Sequence, residues 1–363
     1  MKRLESLDTL RGITIIGMIL VNNPGSWSHV YTPLLHEKWH GLTPTDLIFP
    51  FFLLIVGTSI SISYRNKVTN RDVYEKILFR SFKLIGLGLL INIASPNFPF
   101  IETVNQIRIP GVLQRIGIVF LCSSLIFLKY DAKKIITIIT FILLSYYLFL
   151  NFVPLPNGTS PTFDESSNNW VNYIDQIILG SHMWKPSSDP EGLLSTIPAI
   201  ATCLLGIVIG KIMLSKSNNE NKLKKLLYFV FLLLSSGYLW GYLFPINKSI
   251  WSSSYVLVAA GWGTLILAIA YYINDLKKIS SPKLITYVSQ NAIVIYFLSM
   301  IISKFFYLIK INDKQNVHSW IFDTIFIFIK DLKLASFSYA LCVMFFYLLL
   351  AYYLNKKKIF IKV

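Results

Sequence analysis

The stretch HEKWHGLTPTDLIFPFFLLIVGTSI, residues 36–60, carries two readings at once. Its first five residues fit H-E-x-x-H, the pattern of a zinc protease helix. From Asp46 onward it becomes an apolar run to residue 64, long enough to cross a bilayer. Between the two, Thr43-Pro44-Thr45-Asp46 has the form of a capping box with proline at the first helical position. The rest of the chain decides which reading governs the fold.

Of the 363 residues, 54% are hydrophobic and only 14% are charged, with a mean hydropathy of +0.57. Soluble domains carry nearer a quarter charged residues. Nine more apolar runs of similar length flank the first. The ten expected spans are 7–23, 46–64, 77–94, 111–129, 133–152, 192–214, 223–243, 253–274, 284–303 and 336–354. The chain therefore reads as all-α: a polytopic helical membrane protein, one domain over 1–363, with loops 24–45, 95–110, 153–191 and 304–335 on one face. Lys2 and Arg3 precede an apolar core as in a signal peptide, but Asp8 and Arg11 interrupt it and NNPGSW is a poor cleavage site, so an uncleaved first span is expected. Cys122, Cys203 and Cys342 all lie in apolar runs, so no disulfide framework is expected.

Alternate loops divide the basic residues unequally. Of 34 Lys and Arg, 23 fall on the side of the two termini and ten on the other, with Lys83 inside a span. The positive-inside rule then places both termini in the cytosol. It also accounts for the +16 net charge without a nucleic-acid partner. All five histidines fall on the outer face, together with Asp46, Glu102, Asp175, Asp189 and Glu191.

A zinc site at HEKWH needs both histidines on one helix face and a third protein ligand. Pro33 and Gly41 would bound a short helix there. However, Thr43 stands where the extended motif has glycine, and no third ligand follows at a typical spacing. No metal is expected. Ten spans with polar mouths and Gly or Pro interruptions also suit a solute transporter, so transport and proteolysis remain alternatives on the residues alone.

Six blocks narrow the choice. RLESLDTLRGITIIGMILVNNPG, HEKWHGLTPTDLIFPFFLLIVGTSI, RIPGVLQRIG, DPEGLLSTIPAI, PINKSIWSSSY and QNAIVIYF occur in this order. Together they resemble the heparan-α-glucosaminide N-acetyltransferase family, the lysosomal transmembrane enzyme and its bacterial relatives. The resemblance covers nearly the whole chain and is weak around 133–185 and 304–336. It begins at the first span, without the N-terminal extension of the lysosomal enzyme, so the acceptor is not carried over. It implies transfer of acetyl from cytosolic acetyl-CoA to the amine of an amino sugar on the outer side of a membrane, here a bacterial inner membrane. A homodimer is left open. In the family's H-x-x-W-x-G motif the histidine is the proposed catalytic residue, which falls on His36. The asparagine after the first span is its proposed partner, which falls on Asn22.

The chemistry fits those residue types. An amine must be neutral to attack a thioester, and an imidazole can take its proton near neutral pH or carry the acyl group itself. An amide NH₂ at Asn22 would serve the oxyanion. At the outer mouth, Asp46, Arg108, Gln114, Arg115, Asp189, Glu191, Asn247, Trp251 and Asn291 are candidate acceptor-binding residues. Asp46 and Asp189 also read as helix caps, and Arg115 as an ion-pair partner of Asp46 or Glu191. Arg11, Arg80 and Lys83, at cytosolic span ends, are candidates for the CoA phosphates.

Overall fold

The computed structural model describes residues 4–66, 70–96 and 100–361; Lys2, Arg3, Lys67 and Lys362 of the charge count lie outside them. Among the described residues the chain forms thirteen α-helices: α1 Glu5–Asn22, α2 Pro44–Tyr64, α3 Arg71–Ile93, α4 Val112–Lys129, α5 Ala132–Phe152, α6 Trp170–Leu179, α7 Thr196–Met213, α8 Asn219–Gly241, α9 Ser253–Ala270, α10 Lys283–Gln290, α11 Ala292–Leu308, α12 Val317–Ile325 and α13 Leu332–Lys356. A π-helical turn extends α9 to Leu276.

All ten expected spans are helical. Among the described residues seven helices are long and apolar enough to cross a membrane: α2, α4, α5, α7, α8, extended α9 and α13. The expected span 284–303 is instead a broken pair, α10 and α11, bent by 81° at Asn291. Read as one crossing it makes eight. Helices α1 and α3 are 18 and 23 residues long, but Glu5, Asp8 and Arg11 in one and six charged residues in the other dilute their apolarity.

The centre of the bundle is α2, α7 and α9, where glycine lets backbones approach. A Cβ at Gly57 would strike the Cys203 carbonyl, and one at Gly206 would strike the carbonyl of Leu54. Thr58 Oγ1 uses that closeness to donate to Gly206 O at 3.1 Å. Between membrane helices such contact replaces the missing hydrophobic driving force. Helices α5 and α8 lie outside and present Phe141, Leu144, Tyr228, Phe231 and Leu239 outward, as a lipid-facing surface does.

Both described chain ends share one end of the bundle. Ser281 N donates to Glu5 Oε1 (2.9 Å), Ser289 Oγ to Asp8 Oδ1 (3.2 Å), and Ile361 N to Asn291 Oδ1 (3.0 Å). The HEKWH segment lies beyond the opposite end, before the first turn of α2. Two of the long loops there are partly helical: 153–191 contains α6 and 304–335 contains α12.

Candidate functional site

Residues 36–40 are not helical. A 3-10 turn at Thr32–Leu34 ends before them, and the chain runs as loop to the start of α2. The two histidines therefore do not share a helix face, and their partners diverge. His36 meets Asp46 and Lys248, whereas His40 meets Asp164 through Nε2 (3.0 Å) and the Asn247 amide through Nδ1 (3.3 Å). Gly41 closes the segment at φ +123°, a conformation that side chains resist. Its N–H donates to Ile246 O at 2.8 Å, which ties this loop to the one carrying Lys248. Trp39 Nε1 donates to Phe163 O at 2.8 Å and fixes the outer loop on the other flank.

Asp46 does two jobs with two oxygens. Oδ2 accepts from the backbone N–H of Glu37 (3.1 Å), the backbone N–H of Thr43 (3.1 Å) and Thr43 Oγ1 (3.0 Å). That is the expected cap, and it also holds the residue after His36. Oδ1 lies 2.7 Å from His36 Nδ1. The carboxylate is 1% exposed and the imidazole 46%, so a buried acid orients an accessible ring. An acceptor at Nδ1 selects the tautomer with hydrogen there, and leaves the Nε2 lone pair free to take a proton.

Lys248 completes the group. Its Nζ is 2.9 Å from His36 Nδ1, 3.5 Å from His36 Nε2 and 3.5 Å from Asp46 Oδ1. Burial pulls its pKa down, opposed by the charges of Asp46 and Glu191. The loop that presents it is tightly built. Asn247 is fully buried; its Oδ1 accepts from Ile250 N (3.0 Å) and its own N–H donates to Ser252 Oγ (3.1 Å). Trp251 adopts φ +50°, is fully buried against Phe49 and Tyr255, and donates from Nε1 to Thr202 Oγ1 (3.1 Å). Tyr255 Oη in turn donates to Asp46 O at 2.6 Å. Asn247 and Trp251 thus shape the site from behind.

Beside this group lies a second polar cluster. Arg108 donates from Nε to Asp189 Oδ2 (2.8 Å) and from Nη2 to Asp189 Oδ1 and Glu191 Oε2 (2.5 Å each). Burial opposes the Arg108 charge, but Glu191 and then Asp189 outweigh it and raise its pKa. Burial also works against the Glu191 charge, and Arg108, Arg115 and Lys248 together hold its pKa down. The cap expected at Asp189 does not form: α7 starts at Thr196, and Asp189 instead accepts from Trp184 N and Glu191 N. Nor does Arg115 pair with Asp46 or Glu191. Its Nη2 donates to Gly192 O (2.9 Å) and Ser195 Oγ (2.5 Å), its guanidinium stacks 5.0 Å from the Trp251 ring, and Nε and Nη1 are buried without a partner among the described residues. Nearby, burial pushes the Asp175 carboxyl up to about 6, against a hydrogen bond from Leu193 N.

The remaining candidates are placed less centrally. Gln114 packs between Gly88 and Gly111 and donates to Ile109 O (3.1 Å), which braces the start of α4. Asn22 ends α1 half-buried, with its amide 3.9 Å from Met300 Sδ. No hydrogen bond links it to His36 among the described residues. Asn291, expected at the outer mouth, is at the other end of the bundle, where its amide holds Ile359 O and Ile361 N. A polar residue at a helix break reads as a mouth in sequence; here it fastens the C-terminal segment. Arg11 donates to Asp8 Oδ1 and Ser59 Oγ, and Arg80 lies 4.9 Å over Phe120. Lys83 sits exposed over Phe79.

Sequence reasoning missed Lys248. Ile246-Asn247-Lys248-Ser249 looks like an ordinary outer loop, and the lysine is 212 positions from His36. Its place inside the quoted block PINKSIWSSSY was the one available signal.

The family model described as heparan-α-glucosaminide N-acetyltransferase, catalytic, matches residues 3–245, a stretch that holds His36, Asp46, Arg108 and Glu191 and stops three residues before Lys248. The heparan-α-glucosaminide N-acetyltransferase of Mus musculus is 29% identical over 99% of this chain and 60% of its own length. That of Homo sapiens is 29% identical over 86% of this chain and 55% of its own length. The chain thus spans little more than half of the curated relatives it matches. With the matched region covering well over half of the chain and enclosing the His36–Asp46 pair, this membrane protein belongs to the heparan-α-glucosaminide N-acetyltransferase catalytic family.

Proposed function

We propose that this chain transfers the acetyl group of acetyl-CoA to the amine of a glucosamine-type sugar, at the face of a bacterial inner membrane opposite the cytosol. The observation that carries the reading is the accessible His36 imidazole held at Nδ1 by the buried Asp46 carboxylate. In direct transfer the amine nitrogen attacks the thioester carbonyl carbon as His36 Nε2 takes the amine proton. The C–S bond then breaks, and the proton passes to the departing thiolate. In the relay version Nε2 itself forms the first C–N bond and expels the thiolate; the amine then displaces the imidazole from the acetyl group, and the proton that the amine gives up neutralises the thiolate. Both give amide plus free thiol, and both use the tautomer that Asp46 enforces.

Among the described residues the Asn22 amide has only a weak sulfur acceptor, which leaves it available to a reacting oxygen. Arg11 and Arg80, near the Ser59–Tyr64 end of α2, are the cations proposed for the CoA phosphates. A ligand that binds only the folded state adds about 2.7 kcal/mol of stability at a hundredfold excess over Kd, and so raises the midpoint of unfolding. Acetyl-CoA should therefore stabilise the detergent-purified protein, and zinc should not. If saturating acetyl-CoA neither stabilises it nor binds by calorimetry, the donor assignment fails.

A further inference from the structure

We infer that Lys248 is a catalytic residue that donates to the carbonyl oxygen of the acetyl group as negative charge develops on it. This rests on the proposed acyl transfer at His36. In either route the reacting carbonyl carbon becomes tetrahedral, and its oxygen carries an extra electron pair until the C–S or C–N bond breaks. A positive hydrogen-bond donor fixed beside that oxygen lowers the barrier.

The placement of Lys248 meets this need. Asp46 Oδ1, at 2.7 Å, is served by the single hydrogen of His36 Nδ1. Lys248 Nζ therefore has no lone pair to address at Nδ1, although it lies 2.9 Å away. The ring's one lone pair is on Nε2, 3.5 Å from Nζ. A carbonyl group brought to Nε2, or to an amine giving its proton to Nε2, puts its oxygen within reach of the ammonium. The other charged groups facing Lys248 are Asp46 at 3.5 Å and, further off, Glu191 and Arg115. The two carboxylates oppose the burial that lowers its pKa. The ammonium is also fixed in advance: buried Asn247 and Trp251 pin its loop, and the Gly41–Ile246 hydrogen bond ties that loop to the one bearing His36. A flexible surface lysine would have none of these restraints.

The test uses full-length Lys248→Met, Lys248→Gln and Lys248→Arg with His36→Ala as reference. Lys248→Met should lower kcat roughly 10²–10³-fold, the range for removing one oxyanion donor. Acceptor KM should stay within about threefold, and stabilisation by acetyl-CoA should be unchanged, because ground-state binding does not use the interaction. Lys248→Arg should recover most of the rate. A bisubstrate inhibitor with a tetrahedral methylphosphonamidate in place of the reacting carbonyl should lose affinity in Lys248→Met in proportion to kcat. A purely structural lysine would leave that inhibitor's affinity in step with acetyl-CoA binding instead. Near-normal kcat in Lys248→Met, with His36→Ala inactive, overturns the role of Lys248 alone. Normal transfer by His36→Ala overturns the reading it rests on. If Lys248→Met does not fold, Lys248→Gln, which keeps an N–H donor but loses the charge, should still lose at least about tenfold in kcat, and a kcat within about threefold of wild type overturns the role.

Discussion

Replacing Asp46 by asparagine separates its two jobs. Two of the groups on Oδ2 are the backbone N–H donors of Glu37 and Thr43, and neither can accept a hydrogen bond from an amide NH₂. The asparagine oxygen must therefore take the Oδ2 place. Its NH₂ then occupies the Oδ1 place, 2.7 Å from His36 Nδ1 and 3.5 Å from the Lys248 ammonium. A donor facing Nδ1 selects the tautomer with hydrogen on Nε2, so the base loses its lone pair where the amine arrives. A wrongly held imidazole costs roughly 10²–10⁴-fold in rate. The cap survives, so stability should fall by no more than about 1–2 kcal/mol, the scale of one cap or one charge-assisted hydrogen bond. Asp46→Asn should thus fold, keep its acetyl-CoA thermal shift and lose at least about 10²-fold in kcat. Asp46→Ala, which also loses the cap, should be distinctly less stable. The assay is single-turnover acetyl transfer to glucosamine, beside melting curves of both variants. Transfer by Asp46→Asn within about threefold of wild type would refute the claim that Asp46 sets the His36 tautomer.

Two further outcomes are expected. The Asp175 carboxyl is raised from 3.8 to about 6 by burial, so the folded state binds its proton more tightly than the unfolded chain; this contribution is complete below pH 4 and fades as pH rises through 6, by up to about 3 kcal/mol. Asp175→Asn should therefore be at least as stable as wild type at pH 8 and flatten the melting profile between pH 4 and 6; marked destabilisation at pH 8 would show that an ionised Asp175 is needed. For orientation, single cysteines at 216–224 in a Cys-free background should label only from the cytosol and one at 165 only from outside, and the reverse pattern would invert the proposed topology.

The helices were legible because each span is an apolar run bounded by charge or by Gly and Pro. What escaped lay where that contrast is weak. Helix α6 begins in polar Asn169-Trp170 and is only 10 residues long, and α12 follows the similarly polar Asn316. The kink falls at polar Ser289-Gln290-Asn291, inside a segment otherwise apolar enough to read as one span. At the site, Thr-Pro-Thr-Asp predicted the cap, because capping is local. It did not show that the second oxygen of Asp46 holds His36, because that contact depends on how the loop folds back over ten residues. Asp189 was misread as a cap for the same reason: its partner Arg108 is 81 positions away. The placement of Lys248 and of Arg115 is a consequence of packing between distant segments, which no local pattern encodes.

The most direct test of the account sets His36→Ala against His40→Ala in one assay of acetyl transfer from acetyl-CoA to glucosamine. His36 carries the proton or the acetyl group, whereas His40 holds Asp164 and Asn247 at the edge of the loop. His36→Ala should lose at least about 10²-fold in kcat while acetyl-CoA still stabilises the protein, and His40→Ala should be much milder. Comparable losses in the two variants, or near-normal transfer by His36→Ala, would contradict the assignment.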